Sequence, residues 1–287
     1  ILLIPAAMLG IPPYLFAIIG PIHLFLQFWY HTQLIDKMGL LEKILVTPSH
    51  HRVHHAINPE YLDKNYSQIF IVWDKLFGTF QPEEKSIKPV YGILRPAATW
   101  NPVVINFKHI WQIFKDAYRA NSYWDKLRIW FMPTGWRPVD VAEKFPVMTI
   151  ENPFLLKKYS TENSNFLLGW SYLQLFVTSA LMFLIFLKLA FLTQTMIFLL
   201  AGLLILHVMA YTFLLDGKKI ALILEGLKFV FGIALFFTIN ERIGFIPNFS
   251  LNLIFSYLFI SLGMTTYFGL IEQKMNKEAK SLNSPKK

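Results

Sequence analysis

The chain has 287 residues, a hydrophobic content of 54%, a formal net charge of +9 and no cysteine. A mean hydropathy of +0.42 is too apolar for an ordinary soluble protein, and the basic residues suit the flanks of membrane spans better than a nucleic-acid surface. Disulfides and thiolate metal sites are excluded, so any metal must be held by histidine, carboxylate or water. The composition predicts an integral membrane protein with no nucleic-acid partner.

The first thirty residues are apolar but contain four prolines. Because proline interrupts helical hydrogen bonding or marks a helix start, this pattern favours a broken or re-entrant hairpin. The chain begins with Ile and shows neither a charged leader nor a small-residue cleavage site, so we expect it to be the C-terminal part of a longer protein.

An aromatic run, QFWYHT, then places His31 at the end of a helix. Two interpretations of His31 stay open at this point, a metal ligand and a structural histidine. His23 lies about 80° around the helix from His31, so we expect it to be an ordinary buried or interfacial residue.

Four of the eight histidines fall within six residues of the segment TPSHHRVHH. His51, His54 and His55 have the spacing H-x-x-H-H, and offsets of three and four residues lie on one face of a helix. Their rings can converge on one metal or on two neighbouring metals, and imidazole suits iron, zinc and copper. His50 lies about 100° from His51 and is the weaker ligand candidate. A surface cluster of titrating histidines is the alternative.

The segment 66–80 mixes aromatic and β-branched residues, a pattern compatible with a strand or with a helix beneath the metals. We interpret Asn65 and Asp74 as polar supports for the metal-bound rings, since such rings commonly donate their second N–H to a carboxylate or carbonyl. The alternatives are a helix cap for Asn65 and an ion pair with Lys75 or Arg52 for Asp74.

The segment 81–164 is more polar and contains amphipathic pieces such as NFKHIWQIFKDAY. These pieces favour helices that lie on the membrane surface or close over the histidine domain, and His109 is expected to belong to that surface. We expect the histidine domain and its surface helices to cover residues 1–138, with a linker over residues 139–165.

Four apolar runs follow, each near the twenty residues that cross a bilayer: Phe166–Leu187, Phe191–Leu215, Ile220–Ile239 and Leu251–Ile271. They predict a transmembrane region over residues 166–272, followed by a Lys-rich tail over residues 273–287. If each run crosses, lysines 157–158, lysines 218–219 and the tail share one side. The positive-inside rule makes that side cytoplasmic, together with the histidine cluster.

Charged residues within these runs are few. We expect His207 to form an inter-helix hydrogen bond and Asp216 to lie at the interface, and Glu225 is the main intramembrane charge. A non-enzymatic metal-binding or transport protein is the alternative from another class. The sequence has no H-E-x-x-H box of a membrane metalloprotease, although a zinc-dependent membrane hydrolase is a second alternative.

The runs QFWYHT, TPSHHRVHH, NPEYLDKNY and WDKLFGTF, in this order, resemble the C-terminal half of the fatty acid hydroxylase, or sterol desaturase, superfamily. Within it they resemble the alkylglycerol monooxygenase-like branch. The resemblance covers Gln27 to about Pro138 and implies an all-α integral membrane di-iron oxygenase. It implies these iron ligands: His31, His51, His54 and His55, with His50 as an additional candidate. Gln27 stands where some relatives have the first histidine of an H-x-x-x-H box.

By the same resemblance, the full-length protein hydroxylates or desaturates a C–H bond of a lipid, using O2 and an electron donor. The lipid is an ether lipid, a fatty acyl chain or a sterol, and the donor is tetrahydrobiopterin or an external electron-transfer protein. The family's earlier histidine boxes have no counterpart in this sequence. We therefore expect the second half of the di-iron ligands to be missing and this chain alone to be inactive. The expected location is the bacterial inner membrane or the endoplasmic reticulum.

Overall fold

The computed structural model describes residues 4–243 and 248–272, so the predicted Lys-rich tail lies outside the described residues. Within these ranges the chain is mostly helical and has no β-strand, only isolated bridges between Leu45 and Phe70 and between Ala56 and Tyr91. The all-α prediction is confirmed. Two compact units are present: the histidine unit, Ile1–Pro96 with Val147–Lys157, and the span unit, Ala97–Pro146 with Lys158–Lys287.

The histidine unit begins with two helices, α1 over Ile4–Met8 and α2 over Pro13–Gln27. Pro12 is extended, and Pro13 occupies the first position of α2, where its missing N–H would have no helical partner in any case. Pro12 and Pro13 therefore lie where the chain passes from α1 to α2, as expected for prolines that mark a helix start. Pro21 lies inside α2, and a 3-10 turn over Phe28–Tyr30 continues the chain toward His31.

Helix α3, Pro48–His54, carries most of the histidine box and is only seven residues long. Helices shorter than about 12 residues are marginal in water on their own. Val53 is fully buried and packs with Ala56 and Tyr61, and the Tyr61 hydroxyl donates to the carbonyl oxygen of Ile87 at 3.0 Å. Tertiary contacts, rather than helix length, hold α3 in place.

The segment 66–80 contains a helix, α4 over Val72–Phe77, and the interpretation of this segment as a strand is wrong. Gly78 ends α4 with a φ of 75°, a left-handed conformation that glycine adopts at little cost. Ahead of the helix, residues 69–71 exchange backbone hydrogen bonds of 2.8 and 3.0 Å with residues 44–46. The chain that leads into α3 is thereby tied to the chain that leads into α4.

The span unit begins with α5, Pro102–Arg119, followed by α6, Tyr123–Arg128, and α7, Val139–Lys144. The side chain of Asn101 caps α5 by accepting two backbone N–H bonds at 3.0 and 3.1 Å. One face of α5 exposes large apolar side chains at helical spacing: Phe107, Trp111, Phe114 and Tyr118. This arrangement agrees with the amphipathic pattern, and His109 is exposed on the same helix. The segment predicted as a linker contains α7.

Among the described residues of the span unit, four helices are long and apolar enough to cross a membrane: α8 Asn165–Lys188, α9 Gln194–Leu215, α10 Ile220–Ile243 and α11 Asn248–Thr266. The four predicted spans are confirmed. At 24 residues, α8 is roughly 36 Å long, which exceeds the roughly 30 Å of a hydrocarbon core. A π-helical turn over Tyr267–Glu272 continues α11.

A small set of buried polar side chains links these four spans. His207 Nε2 on α9 lies 3.1 Å from the carbonyl oxygen of Gln174 on α8, which confirms the predicted inter-helix bond. On α10, Lys228 Nζ lies 2.6 Å from Glu225 Oε1 and donates to Ser261 Oγ on α11 at 2.8 Å. The Gln174 amide donates to the same hydroxyl at 3.4 Å. Lys228 and Glu225 are therefore paired, and Lys228 also connects α10 to α11.

Asp216 follows the last residue of α9, at the expected membrane interface. Its carboxylate accepts the Trp100 backbone N–H at 2.8 Å and the Tyr159 hydroxyl at 3.0 Å, and it also binds the Thr99 hydroxyl. These bonds tie the segments before α5 and before α8 to the end of α9.

Candidate metal site

Three histidines from two segments bring their Nε2 atoms together, and we refer to His31, His51 and His55 as the three-histidine cluster. His51 and His55 are one turn apart at the end of α3, whereas His31 follows the turn Phe28–Tyr30. The Nε2 atoms of His31 and His51 are 2.7 Å apart, and those of His51 and His55 are 2.9 Å apart. One ligand atom from each ring lies within 4.8 Å of the other two.

The donor set of this cluster fits a metal ion. His31 Nδ1 lies 2.8 Å from the carbonyl oxygen of Gln27. A carbonyl only accepts, so Nδ1 carries the proton and Nε2 directs its lone pair into the cluster. With metal–nitrogen bonds of roughly 2.1 Å, ligands at right angles would be roughly 3.0 Å apart. The two shortest Nε2 separations are close to that spacing.

The environment keeps two of these rings neutral. Burial, followed by the charges of His55, His31 and His54, lowers the pKa of His51 to about 3. Burial, followed by the charges of His54 and His31, also lowers the pKa of His55. At physiological pH both rings are uncharged, which is the form that offers a lone pair to a metal.

A cavity of about 470 Å³ adjoins the cluster. It lies within the histidine unit and has the size typical of small-molecule sites. The cluster rings supply part of its wall, and the remainder is aromatic, polar and aliphatic: Tyr30, Thr32, Gln33, Arg52, Tyr91, Gly92 and Ile93. A ligand in this cavity would contact both an apolar wall and the Nε2 atoms.

The other two histidines of the box lie outside the three-histidine cluster. His54 Nδ1 faces the carbonyl oxygen of Lys64 at 3.4 Å, while its ring stacks 5.5 Å from the ring of His51. His50 is 2% exposed, and its Nδ1 is 3.4 Å from Thr47 Oγ1. Burial lowers the pKa of His50. His50 thus faces the core of the unit.

Asn65 supports the backbone around α3 rather than a histidine ring. Its amide donates to the carbonyl oxygens of His50 at 3.1 Å and Gln81 at 2.7 Å, and its Oδ1 accepts the Gln81 N–H at 2.9 Å. The residue has a φ of 52°. We predicted that Asn65 supports an imidazole ring. In the structure its side-chain amide instead binds main-chain groups. It also does not act as the suggested helix cap.

Asp74 likewise binds a loop rather than an imidazole. Its carboxylate accepts the backbone N–H groups of Tyr66 at 2.7 Å and Ser67 at 2.9 Å, and the Thr79 hydroxyl at 2.6 Å. Burial alone would raise the pKa of Asp74, but these hydrogen bonds bring it below its ordinary value. The sequence analysis suggested an imidazole, Lys75 or Arg52 as the partner of Asp74. The partners found among the described residues are instead the two N–H groups and the Thr79 hydroxyl. The carboxylate fixes the turn around α4.

His23, Gln27 and His31 follow one another at four-residue spacing. His23 Nε2 lies 2.7 Å from the side-chain amide of Gln27 and 2.7 Å from Gln68 Oε1. His23 therefore contacts two glutamines, in keeping with the structural role expected for it. Gln27 acts on the cluster through its carbonyl oxygen, which orients His31.

Residues 1–79 match the family described as Fatty acid hydroxylase. This stretch contains the complete three-histidine cluster, together with His54, Asn65 and Asp74. The segment that carries the cluster is therefore similar to the fatty acid hydroxylase family. The resemblance inferred from the order of the sequence motifs is confirmed.

The chain is also similar to proteins named as monooxygenases and as a lipid hydroxylase. It is 36% identical over 225 residues to alkylglycerol monooxygenase of Homo sapiens, covering 77% of this chain and 49% of that protein. It is 34% identical over 286 residues to alkylglycerol monooxygenase of Danio rerio, covering 96% and 60%. It is 35% identical over 77 residues to ornithine lipid hydroxylase OlsE of Rhizobium tropici, covering 27% and 23%. The chain spans about half the length of the human relative. No solved structure matches it.

Sequence reasoning missed the far wall of the cavity. The side chain of Asn58 donates to the carbonyl oxygen of Lys88 at 3.1 Å and accepts the Val90 N–H at 2.7 Å. These bonds bring Tyr91 and Ile93 to the cavity. Residues 81–96 carry no helical or strand period, so the only sequence signal was the Asn-Pro turn itself.

Proposed function

We propose that this chain supplies the histidine metal site of a membrane monooxygenase that hydroxylates a lipid. Two facts support the proposal together: the convergence of three Nε2 atoms and the position of all three histidines inside the family match. The relatives named alkylglycerol monooxygenase and ornithine lipid hydroxylase suggest lipid substrates. An ether lipid is the first substrate to test.

In this proposal, His31, His51 and His55 hold one iron ion. His54 on the same helix contributes to a second ion, whose other ligands are not among the described residues. Bound iron supplies the reduction of O2 that lets one oxygen atom enter a C–H bond while the other leaves as water. Two electrons and two protons balance the reaction, and the reductant is tetrahydrobiopterin or an electron-transfer protein.

The chain's own residues do the positioning. The Gln27 carbonyl fixes the ring of His31, and burial keeps the ring of His51 neutral. Tyr30, Tyr91 and Ile93 give the cavity an apolar wall along which a hydrocarbon chain can lie. Each methylene removed from water contributes about 0.8 kcal/mol, so a long-chain lipid gains more from such a wall than a small polar compound.

Metal and substrate analysis of the full-length protein tests this function. We expect purified protein to contain iron and to consume O2 and an alkylglycerol when a reductant is supplied. Fatty acids, sterols and a short water-soluble alcohol serve as comparison substrates. Zinc in place of iron, without O2 uptake, would instead identify a hydrolase. Preferential turnover of the soluble alcohol would contradict the lipid assignment.

We also propose that the histidine site faces the cytoplasm. The ends of the spans at residues 165, 215, 220 and 266 share one side if all four cross, and Lys218 and Lys219 lie there. A glycosylation or reporter tag at Asn248 should report the opposite side from a tag at Lys218. Tags that report the same side would show that α10 does not cross.

A further inference from the structure

Arg52 lies between His51 and His55 in the sequence, and all three nitrogens of its guanidinium donate hydrogen bonds. Its Nε lies 3.0 Å from each carboxylate oxygen of Glu83, and its Nη2 donates to Glu83 Oε2 at 2.6 Å. On the other side, Nη1 donates to the carbonyl oxygens of Thr32 at 3.2 Å and Ile35 at 2.8 Å. The Arg52 and Glu83 side chains are 11% and 16% exposed, so solvent competes little for these bonds.

These contacts join the two segments that form the three-histidine cluster. His51 and His55 share α3, so helix geometry fixes their spacing. His31 comes from a different segment, and residues 32–38 after it have no regular secondary structure. Arg52 belongs to α3 and holds the backbone immediately after His31, so it determines where that segment lies relative to α3.

We propose that Arg52 is a positioning residue for the metal, oriented by Glu83. By holding the Thr32 and Ile35 carbonyls, Arg52 keeps His31 Nε2 within reach of the ion that His51 and His55 bind. This inference rests on the proposed metal site. Lysine cannot replace Arg52 in this role. A single ammonium lacks the planar guanidinium fork that binds a carboxylate and two carbonyls at once.

The expected effect is on metal affinity, through His31. Loss of an outer partner of a metal ligand typically weakens metal binding by about 10–100-fold. We expect Arg52→Lys and Glu83→Gln to weaken Fe²⁺ binding within that range. In protein that already carries His31→Ala, the ligand that Arg52 positions is gone. There, Arg52→Lys should change Fe²⁺ affinity less than about threefold, because residues that act through one another are not additive.

The experiment measures Fe²⁺ affinity anaerobically, by competition with a coloured chelator, on the full-length protein in detergent. The variants are Arg52→Lys, Glu83→Gln, His31→Ala and the double variant Arg52→Lys/His31→Ala. Arg128→Lys, at an exposed ion pair, is the matched control for an arginine exchange. The thermal midpoint and far-UV circular dichroism of each protein report folding separately. Glu83→Gln provides the test if Arg52→Lys does not fold.

Different results would contradict the positioning role of Arg52 and the proposed metal site. Weaker Fe²⁺ binding by Arg52→Lys that disappears in the His31→Ala background supports the positioning role. The same loss in both backgrounds, or no loss in the wild-type background, overturns it while leaving the metal site intact. If the wild-type protein binds no Fe²⁺, or if His31→Ala and His51→Ala bind it normally, the proposed metal site itself fails.

Discussion

Several buried polar side chains of the histidine unit and of α10 in the span unit have different kinds of partner. In the histidine unit, Asn65 and Asp74 bind main-chain groups of neighbouring loops, and Arg52 binds two carbonyls in addition to Glu83. In the span unit, Lys228 pairs with a carboxylate and with a hydroxyl on another helix. The first pattern fixes loops, and the second fixes helices against one another.

Helix length explains the difference. The 24-residue α8 satisfies its own backbone hydrogen bonds, as a membrane span must, so the side chain of Gln174 is available to contact another span. The seven-residue α3 is connected by irregular segments whose N–H and C=O groups need partners. We therefore expect metal geometry to depend on residues that hold loops, and stability of the span unit to depend on a few polar pairs.

The largest expected effect comes from removing a ligand in the cluster. His51 lies beside both other Nε2 atoms, so His51→Ala should lower iron affinity by more than the roughly 100-fold that loss of an outer partner produces. Activity should be lost with the metal. His50→Ala is the matched control, because His50 faces the core and should retain the iron. Inductively coupled plasma mass spectrometry measures the iron content of both purified variants.

His54→Ala sharpens the same test. If His54 serves a second ion, the iron content should fall by half while the remaining iron keeps its affinity. Full iron content would remove His54 from the ligands. Loss of iron in His50→Ala with retention in His51→Ala would show that α3 presents its other face to the metal.

The spans were more predictable from sequence than the short helices. An apolar run of about twenty residues is a local signal, and the predicted end at Leu215 coincides with the end of α9. The segment around α4 was ambiguous between strand and helix, because six helical residues are too few to show a period. Backbone pairing with residues 44–46 defines the start of α4, and that pairing leaves no pattern in the sequence.

The candidate site was predictable only in part, for a similar reason. The spacing of His51 and His55 was enough to place them on one helix face, and the aromatic run pointed to His31. Arg52 and Glu83 are separated by 31 positions, and nothing in either local sequence indicates their pairing. Asn65 and Asp74 were predicted to support metal-bound rings; both are buried, but the groups they bind are set by loop conformation.

The next effect concerns the ion pair inside the spans. Lys228→Met should destabilise the span unit by about 3 kcal/mol, because it leaves the carboxylate of Glu225 buried without its partner. The double variant Lys228→Met/Glu225→Leu should recover most of this loss. Thermal unfolding in detergent measures both. Equal losses in the single and double variants would show that polar pairing does not hold the spans together.

A smaller effect is expected from the turn held by Asp74. Asp74→Asn should cost about 2 kcal/mol at neutral pH, in the range for hydrogen bonds to a charged acceptor. The pKa of Asp74 is lowered by folding, so the stabilisation is complete above the unfolded value near 3.8 and is lost as pH falls through the lower folded value. The variant should lack this acid-dependent part of the unfolding free energy, which denaturant titrations at several pH values can resolve.

The smallest effect tests whether burial determines how much an ion pair stabilises the protein. Arg128 pairs with Asp125 at 2.6 Å on α6, but its side chain is 39% exposed, and it also lies 4.8 Å from the centre of the Trp136 ring. Solvent screening should limit the cost of Arg128→Ala to about 0.5 kcal/mol. Chemical denaturation can compare this variant with Lys228→Met. If Arg128→Ala lowers the free energy of unfolding as much as Lys228→Met does, burial does not determine the stabilisation by these ion pairs.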